Sequence, residues 1–477
     1  PGNLAGSIVQ TVGEPMAALA GAPRTLRLEL SIERSMASPL EGRGVLARPD
    51  GDGVHVVSST QVPHAVQATV AHMIGLPRHL VRVTVPHVGG AFGVKGVRPW
   101  PEEVLVPWAC RRLARPVKWV EDRAEHFVSS AQERQQLQTV TVGFDDDGRV
   151  LAYDIDIAHD IGAFSQYGLV VSQNTASHLA GPYRVDHKRV AVSAYYTNLV
   201  MVAPYRGAGR PEATFALERM MDAVARECSL DRVEVRRRNL ATSSDLPLPQ
   251  GLMGQDRREV VLDTGAYHQA LDVACELSGW STFASRQQRA AARGRRLGIG
   301  IACYVENSGL GPFEGCATEL LSDGRVRVAV ATASQGQGHR TFIAQVAADE
   351  LQVPLGALDV VMGDTSLLPA GVGTFASRTA AVTGPAVQQA TAQLAERIKD
   401  VAAGVLECDP RDVELAGGRA RVRGQPGAGL SLAAVAAAVN PMYGFTQQAA
   451  ELRHGGYRPV TAPPAPALTT QAWHYPP

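Results

Sequence analysis

Glycine-rich turns that follow strands are the parts of this chain best suited to ligand chemistry. Residues 88–96 read V-G-G-A-F-G-V-K-G directly after a valine-rich strand, and a glycine turn with a lysine is typical of a phosphate cradle. The P-loop pattern G-x-x-x-x-G-K-[S/T] fails, because Val94 and Gly96 stand where it requires glycine and a hydroxyl residue. Since glycine has no Cβ, the turn still predicts close approach of the backbone to some other ligand.

Further loops share this design. Residues 335–338 (Q-G-Q-G) follow a predicted strand and precede a predicted helix at 341–351, and residues 205–210 (Y-R-G-A-G-R) lead into another predicted helix. Residues 371–377 form one more such loop before a long helix. A helix start presents unpaired backbone N–H groups that suit anionic oxygens. One glycine turn is weak evidence, but several rich in Gly, Gln, Ser and Arg predict a large ligand with many oxygens, held mainly by the main chain.

The hydrophobic pattern shows which elements must position these loops. Residues 26–33 alternate apolar and polar side chains, which predicts a half-buried strand, and a predicted helix at 65–74 and strand at 81–85 lead into the first loop. Asp147-Gly148 and Ser322-Asp323-Gly324 predict hairpin turns. Frequent hairpins without evident β-α-β repeats predict the α+β class, in two unequal units.

Composition shifts predict a four-part organisation along the chain. Residues 1–240 form a first domain, and residues 241–294 form a connector with an amphipathic helix near 267–277 and a basic run. Residues 295–440 form a second, partial domain, and residues 441–477 form a proline-rich tail. The tail is expected to be an extended terminus or a truncated end.

Overall composition excludes several classes of protein. The 477 residues suffice for two to four domains, and 45% apolar with 19% charged residues is ordinary for a globular protein. Lys plus Arg equals Asp plus Glu at 46 each, so no net charge favours nucleic acid or an anionic membrane. The six cysteines are scattered without C-x-x-C, which argues against zinc or iron–sulfur ligation in this chain. The longest apolar runs are too short to span a bilayer.

Four motifs occur in an order that identifies a family. They are G-G-A-F-G-V-K at 89–95, A-P-Y-R-G-A-G-R-P-E-A at 203–213, A-S-Q-G-Q-G-H at 333–339, and G-D-T with G-T-F-A-S-R within 363–378. The chain resembles, over nearly its whole length, the large subunit of molybdenum hydroxylases, the family of xanthine dehydrogenase, aldehyde oxidase and carbon-monoxide dehydrogenase large chains. The resemblance implies two elongated mixed α/β molybdopterin-binding domains with the cofactor at their interface.

The resemblance also implies cofactors and partners. Molybdenum would be held by the dithiolene of a molybdopterin, commonly the cytosine dinucleotide form, with no protein ligand. Electrons would pass to Fe–S centres and FAD on an iron–sulfur small subunit and an FAD-binding medium subunit, in a dimer of heterotrimers. The expected reaction is hydroxylation of an aldehyde or N-heterocyclic C–H with water as oxygen source. A cytoplasmic protein without a membrane span, acting on a small molecule and not on nucleic acid, is expected.

Site residues follow by matching the motifs. Gln61 would hydrogen-bond the molybdenum oxo ligand, Phe92 would close the substrate pocket, and Arg206 would orient substrate or cofactor; these are the predicted catalytic residues. The predicted cofactor-binding residues are Gly90, Ala91, Phe92, Gly93, Arg206, Gly336, Gln337, Gly338, Ala376, Ser377 and Thr379. Ordinary alternatives are a polar strand end for Gln61, a surface or capping role for Arg206, and a plain helix-entry residue for His339.

Departures from the family pattern narrow the prediction. Gly207 stands where carbon-monoxide dehydrogenases have the cysteine that holds copper, which disfavours CO oxidation. Gly96 stands where xanthine-type enzymes have a glutamate, which argues against purines. The family's general base, a glutamate in G-x-G-E, would lie beyond Pro477. Two alternatives therefore remain beside the catalytic core: a non-catalytic paralogue or fragment that keeps fold and assembly, and a nucleotide-binding protein weakened by the failed P-loop.

Overall fold

A computed structural model describes residues 2–96, 98–439 and 468–476. The chain divides into two compact units, each assembled from separated segments. The first unit comprises Pro1–Ala37 and Phe127–Glu306, and the second comprises Ser38–His126 and Asn307–Pro477. The four-part linear division stays a prediction.

Strands and helices are interspersed along both units. The described strands are β1 (Leu4–Val12), β2 (Arg24–Ile32), β3 (Gly44–Asp50), β4 (Gly53–Ser58), β5 (Val81–Thr84), β6 (Val117–Val120), β7 (Gln136–Phe144), β8 (Val150–Gly162), β9 (His187–Tyr196), β10 (Leu248–Met253), β11 (Glu259–Leu262), β12 (Glu314–Leu320), β13 (Val326–Val330), β14 (Leu358–Met362), β15 (Val413–Ala416), β16 (Arg419–Val422), β17 (Gln425–Ser431) and β18 (Leu468–His474). The described helices are α1 (Pro15–Gly21), α2 (Pro63–Ile74), α3 (Glu102–Leu113), α4 (Arg123–Ser129), α5 (Val170–His178), α6 (Arg210–Glu227), α7 (Arg232–Asn239), α8 (Tyr267–Ser278), α9 (Phe283–Ala291), α10 (His339–Leu351), α11 (Gly384–Leu406) and α12 (Leu432–Ala438).

The first unit is built on a five-stranded sheet with the order β1-β9-β8-β7-β2. Strand β2 alternates between half-buried and exposed side chains, as its sequence pattern predicts. The Asp147-Gly148 turn joins β7 and β8 as an antiparallel hairpin, which confirms that prediction. Helix α6 covers the core with Leu217, Met220 and Val224, each at most 2% exposed. Burial of such side chains stabilises the fold by about 1.5–3 kcal/mol each.

The second unit contains two four-stranded sheets, with the orders β5-β4-β3-β6 and β14-β13-β12-β18. The end of β5 meets the end of β14 through an antiparallel bridge between Thr84 and Asp364. The Val85 N–H donates to the Gly363 carbonyl at 3.0 Å, next to this bridge. Helix α11, the long helix that the sequence predicts after residues 371–377, packs fully buried Val387 and Leu394 into the core of this unit. The two sheets are therefore joined where β5 and β14 end.

Within the predicted tail, Leu468–His474 form β18, which pairs antiparallel with β12. A strand there adds a fourth member to the sheet that carries β13 and β14. The remaining tail residues 441–467 and 477 lie outside the described residues. No helix in the described ranges is long and apolar enough to cross a membrane.

The sequence pattern predicts hairpins without β-α-β units, and this prediction is wrong. Strands β4 and β5, β8 and β9, and β13 and β14 are parallel pairs, and α2, α5 and α10 respectively connect them. Periodicity predicts the type of each element but not which strand it pairs with, so these crossovers were not visible in the sequence. The sheets are mixed, because antiparallel pairs adjoin each parallel one.

Candidate functional site

Gln61, just beyond the end of β4, links two of the glycine-rich loops. Its Oε1 accepts a hydrogen bond from the Gly93 N–H at 3.0 Å, and its Nε2 donates to the Thr374 carbonyl at 2.7 Å. The side chain is buried, with 4% exposed. Because one partner can only donate and the other can only accept, the amide orientation is determined by its neighbours. Among the described residues, no second acceptor is found for its Nε2 group.

The first loop, residues 89–96, follows β5 and has an unusual backbone. Phe92 has φ +56°, and Gly90 and Gly93 have φ +94° and +110°. Left-handed conformation is uncommon for an aromatic residue and persists where surrounding contacts determine it. The Phe92 ring is 42% exposed, whereas Ala91 is buried. The strained turn therefore presents an aromatic ring outward, as a pocket-closing residue requires.

An ion pair between a buried lysine and a partly exposed glutamate stabilises this loop. Lys95 Nζ lies 2.7 Å from Glu41 Oε1, and Glu41 Oε2 accepts from the Gly89 N–H at 2.8 Å. Only 2% of Lys95 is exposed, and burial lowers the pKa of its ammonium group while Glu41 opposes that shift. The lysine that suggested a phosphate cradle therefore holds the loop backbone through Glu41.

The loop at 371–378 follows β14 and is held by an ion pair whose two side chains are both buried. Arg378 pairs with Glu314, and its Nη1 also donates to the Gly373 carbonyl at 2.7 Å. Glu314 Oε1 accepts from the Val372 and Gly373 N–H groups at 3.1 and 2.8 Å. Both charged side chains are fully buried, and burial raises the pKa of Glu314 while Arg378 opposes the rise. This pair determines the path of the loop that Gln61 contacts.

The same loop ends in two consecutive left-handed residues. Ala376 and Ser377 have φ +48° and +50°. A single turn of π-helix then covers Thr379–Thr383 and leads into α11. Thr379 is buried. Strained backbone of this kind is concentrated at ligand sites, which agrees with the prediction for these residues without testing it.

The loop at 335–338 follows β13 and opens α10. Gly336 and Gly338 have φ +103° and +77°, and a Cβ at either would meet nothing within 4 Å. Gln337 folds back, with its Oε1 accepting from the Gln335 N–H at 2.6 Å. Helix α10 has no side-chain cap at Gly338 and no acidic residue in its first turn. The start of α10 therefore carries no side-chain cap that would compete with an anion for its first N–H groups.

Gln61 and the three loops of the second unit all come after strands that pair in parallel. Gln61 and the 89–96 loop follow the parallel strands β4 and β5, and the other two loops follow the parallel strands β13 and β14. Ligands of sheets with parallel strands bind beyond the carboxyl ends of those strands. Gln61, Phe92 and Gly336 thus lie in segments that directly follow parallel strands, and the loop with Ser377 comes after β14.

Arg206 belongs to the first unit, in the loop between β9 and α6. Its side chain is exposed, while its carbonyl accepts a hydrogen bond from Arg134 at 2.5 Å. The neighbouring Gly209 has φ +90°, and a Cβ there would lie 2.3 Å from the Val171 carbonyl. The loop backbone is therefore closely packed although the arginine tip is free to reach a ligand.

Sequence reasoning missed the residues that hold the loops. Arg378 and Lys95 lie inside quoted motifs, so they could have been noticed as charged residues in apolar surroundings. Glu41 and Glu314 carried no signal, because each lies at least 48 positions from the loop it holds.

The residues present fit a large anionic cofactor. Open space beside two positive-φ glycines and an uncapped helix start suit phosphate or pterin oxygens. Gln335 Nε2 and His339 Nδ1 are buried beside that loop without a hydrogen-bond partner. Within the described ranges, no group of three or more His, Cys, Asp or Glu side chains is arranged to hold a metal ion.

Known families match both halves of the chain. The family model described as "Molybdopterin cofactor-binding domain" matches residues 1–240, and a second model with that description matches residues 273–471. The chain thus has two molybdopterin-binding domains of mixed α/β structure, which confirms the predicted fold class.

Individual relatives agree with these matches. The chain is 36% identical to the 6-hydroxypseudooxynicotine dehydrogenase complex subunit gamma of Paenarthrobacter nicotinovorans, covering 94% of this chain and 56% of the relative. It is 32% identical to the nicotine 6-hydroxylase large subunit of that organism, covering 85% and 51%. The crystal structure of quinoline 2-oxidoreductase from Pseudomonas putida 86 matches with a TM-score of 0.84 and 30% identity, covering 100% of this chain and 60% of that one. The chain thus spans about half the length of its relatives.

Proposed function

Because the chain belongs to the molybdenum hydroxylase large-subunit family, we propose that it is the molybdopterin-binding part of an oxidative hydroxylase. The reaction would be hydroxylation of an aldehyde or N-heterocyclic C–H with water as oxygen source. The observation that carries this proposal is the Gln61 amide, which joins two loops that come after parallel strands and has no second acceptor for its Nε2 group among the described residues.

The cofactor would be molybdenum with molybdopterin cytosine dinucleotide. When bound, it supplies oxygen transfer from water and takes up two electrons from the substrate. Gly336, Gln337 and Gly338 would hold its phosphate or pterin oxygens by main-chain N–H groups, since α10 begins there without a cap. Ala376, Ser377 and Thr379 would add contacts from the loop that Arg378 holds, and Gly90 to Gly93 would pass close to the pterin.

Two side chains would act on the substrate side. Phe92 would exclude water and close the pocket, because its ring is exposed on a backbone that cannot easily rotate away. Arg206 would orient substrate or cofactor through its guanidinium group. Gln61 would donate its remaining N–H to an oxygen of the cofactor. These roles are supported by the positions of the residues on their loops and by the family resemblance.

The partners would be an iron–sulfur small subunit and an FAD-binding medium subunit, in a dimer of heterotrimers. Support comes from the names of relatives, one a subunit of a dehydrogenase complex and another a large subunit. The six cysteines, all free thiols without C-x-x-C spacing, offer no iron–sulfur motif in this chain. Electrons would therefore leave for cofactors on those partners.

The substrate class follows from the same comparison. Two relatives are named for nicotine or a nicotine derivative and one for quinoline, which are N-heterocyclic compounds. Gly207 cannot ligate copper, which disfavours CO as substrate, and Gly96 disfavours purines. An N-heterocycle or an aldehyde remains the substrate class that we propose.

Metal and nucleotide analysis of the purified complex tests the proposal. We expect about one molybdenum per chain, cytidine monophosphate on acid hydrolysis, and turnover of an N-heterocycle or aldehyde with a dye acceptor. A folded complex that assembles with its partners but contains no molybdenum would refute this function and favour a non-catalytic paralogue.

A further inference from the structure

The loop that carries Arg206 is held by three charged residues, Glu133, Arg134 and Glu212. Of these, only Glu212 lies inside one of the four family motifs. We propose that Arg134 is a positioning residue, which, together with Glu133 and Glu212, sets the backbone from which Arg206 reaches its ligand. The inference rests on the proposed function, in which Arg206 orients substrate or cofactor. These three residues would affect the reaction by positioning Arg206, without contacting the ligand themselves.

Arg134 contacts the loop through one terminal nitrogen and two carboxylates through the other. Its Nη2 donates to the Arg206 carbonyl at 2.5 Å, and its Nη1 lies 3.1 Å from Glu212 Oε2 and 3.4 Å from Glu133 Oε2. The guanidinium carbon also lies 4.7 Å from the centre of the Tyr205 ring. One planar group therefore joins the loop backbone, the preceding aromatic ring and two carboxylates.

The two carboxylates complete the attachment. Glu133 Oε2 accepts from the Tyr205 N–H at 2.9 Å, and Glu212 holds the Arg134 guanidinium from the first turn of α6. Both are 0% exposed. Burial raises the pKa of each, and the nearby Glu212 raises that of Glu133 further. Buried charges this close require the guanidinium between them, so Arg134 cannot leave without disturbing the loop.

Backbone conformation shows that these contacts hold strained residues. Arg134 itself has φ +86°, Ala208 has φ +49°, and Gly207 has φ +109°. A Cβ at Gly207 would lie 2.4 Å from Pro211 Cγ. Left-handed non-glycine residues cost about 1–3 kcal/mol each and persist only where the surroundings determine them. The Arg206 carbonyl is thus fixed within a strained and closely packed segment, while the Arg206 side chain remains exposed.

Lysine could keep the charge of Arg134 but not its geometry. A single ammonium nitrogen cannot reach a carbonyl and two carboxylates with the planar fork that the guanidinium offers. The substitution Arg134→Lys therefore preserves local neutralisation of the carboxylates and releases the loop backbone. A shift of about 1 Å in a positioning group lowers the rate about 100-fold, so a loss of about tenfold or more in kcat/KM is expected.

Arg34 provides a matched control in the same unit. Its side chain is 11% exposed, against 12% for Arg134. It pairs with Asp160 at 2.8 Å and donates to the Val200 carbonyl at 2.7 Å. It also donates to Gln135 Oε1 at 2.8 Å, and none of these partners lies in residues 205–210. Arg34→Lys therefore perturbs a comparable buried pair beside Arg134 without removing a contact to the Arg206 loop.

The experiment uses the purified holo complex and compares wild type, Arg134→Lys, Arg34→Lys, Arg206→Ala and the double variant Arg134→Lys/Arg206→Ala. Quinoline, nicotine and benzaldehyde serve as probe substrates with a dye acceptor. We expect equal molybdenum content, a loss of about tenfold or more for Arg134→Lys and less than twofold for Arg34→Lys. The double variant should be no slower than Arg206→Ala, because residues that act as a unit are not additive. Hydrogen–deuterium exchange in residues 203–209 should accelerate in both variants that carry Arg134→Lys and not in Arg34→Lys.

Equal kinetics and equal exchange for the two lysine variants would overturn the proposal, and so would additive losses in the double variant. If Arg134→Lys does not assemble, Glu212→Gln replaces it, because the amide keeps the carboxylate shape and removes its charge; the same exchange response is expected, and its absence counts against the proposal. If the wild-type complex contains no molybdenum and turns over no probe, the proposed function fails, and the exchange comparison alone decides whether Arg134 positions the loop.

Discussion

The Gln61 amide offers the sharpest test of the candidate site. Replacement with alanine removes both hydrogen bonds that join the loop after β5 to the loop after β14, and leaves the Gly93 N–H and the Thr374 carbonyl without those partners. Backbone bonds of Gln61 remain, since its N–H donates to the Lys95 carbonyl at 3.0 Å and its carbonyl accepts from Thr374 at 3.0 Å. The fold is therefore expected to survive the change.

The magnitude follows from burial. A buried polar group left without a partner costs about 1–3 kcal/mol. Thr374 is 4% exposed and would bear most of that penalty, while half-buried Gly93 can recover a bond to water. The total is about 2–4 kcal/mol. Each 1.4 kcal/mol lost from loop pre-organisation lowers affinity about tenfold, so cofactor affinity should fall by about 30-fold or more.

Gln67 is the matched control in the same unit. It is 7% exposed, and its Nε2 donates to the Val81 carbonyl at 2.8 Å while its Oε1 accepts from Arg78 at 2.9 Å. Gln67→Ala thus loses an equivalent pair of buried bonds within helix α2 and its neighbours. The midpoint temperature of thermal unfolding should decrease by similar amounts in both variants. Molybdenum per chain should decrease only in Gln61→Ala.

Equal molybdenum content in the two variants, at similar loss of stability, would refute the reasoning. It would show that Gln61 is an ordinary buried glutamine whose bonds stabilise the fold alone. A loss of metal in both variants would show that cofactor retention follows overall stability and not the link between the two loops.

Three further perturbations test separate parts of the second unit. Gly338→Ala should reduce cofactor content more than Gly424→Ala, because only the first places a methyl group at the start of α10. The two sites are matched, with φ angles of +77° and +76° and no atom within 4 Å of either added Cβ. Molybdenum analysis of the purified complexes measures the difference. Arg378→Met should lower the free energy of unfolding by about 3–5 kcal/mol, since it leaves Glu314 buried and unpaired, as measured by denaturant unfolding. Burial raises the pKa of Glu103 to about 7. The folded protein therefore binds the Glu103 proton more tightly than the unfolded chain, where the pKa is near 4.3. This adds to the free energy of unfolding fully below about pH 4.3, and the contribution is lost as pH rises through 7. Relative to Glu103→Gln, wild type should lose about 3 kcal/mol between pH 4.5 and 7.5.

Each of these expectations has a contradicting outcome. Equal cofactor content in the two glycine variants would show that the space beside α10 holds no ligand. For the arginine, Arg411→Met is the control, because its 2.8 Å pair with Asp409 is exposed and should contribute less than about 1 kcal/mol; comparable losses in both would contradict the buried-pair argument. A pH-independent difference between wild type and Glu103→Gln would show that Glu103 does not change protonation on folding in that range.

The sequence by itself determined the types of the main elements and the positions of the ligand loops. Residues 26–33, 65–74 and 267–277 alternate or repeat with the period of the strand or helix that they form, because periodicity is local. The glycine loops were visible for a similar reason, since glycine is the residue that most readily adopts the positive φ found at Gly90, Gly336 and Gly338. The order of the four motifs was enough to predict the family, which the comparisons confirm.

Tertiary structure alone decided which of these loops meet and what holds them. Gln61 contacts Gly93 across 32 positions and Thr374 across 313, and Arg378 meets Glu314 across 64. Such pairs depend on strands β4, β5, β13 and β14 pairing in parallel and joining at Thr84 and Asp364. Hydrophobic periodicity carries no information about strand partners, because either pairing buries the same alternate side chains. The charged residues that hold the loops are therefore recognisable only once the sheets have assembled.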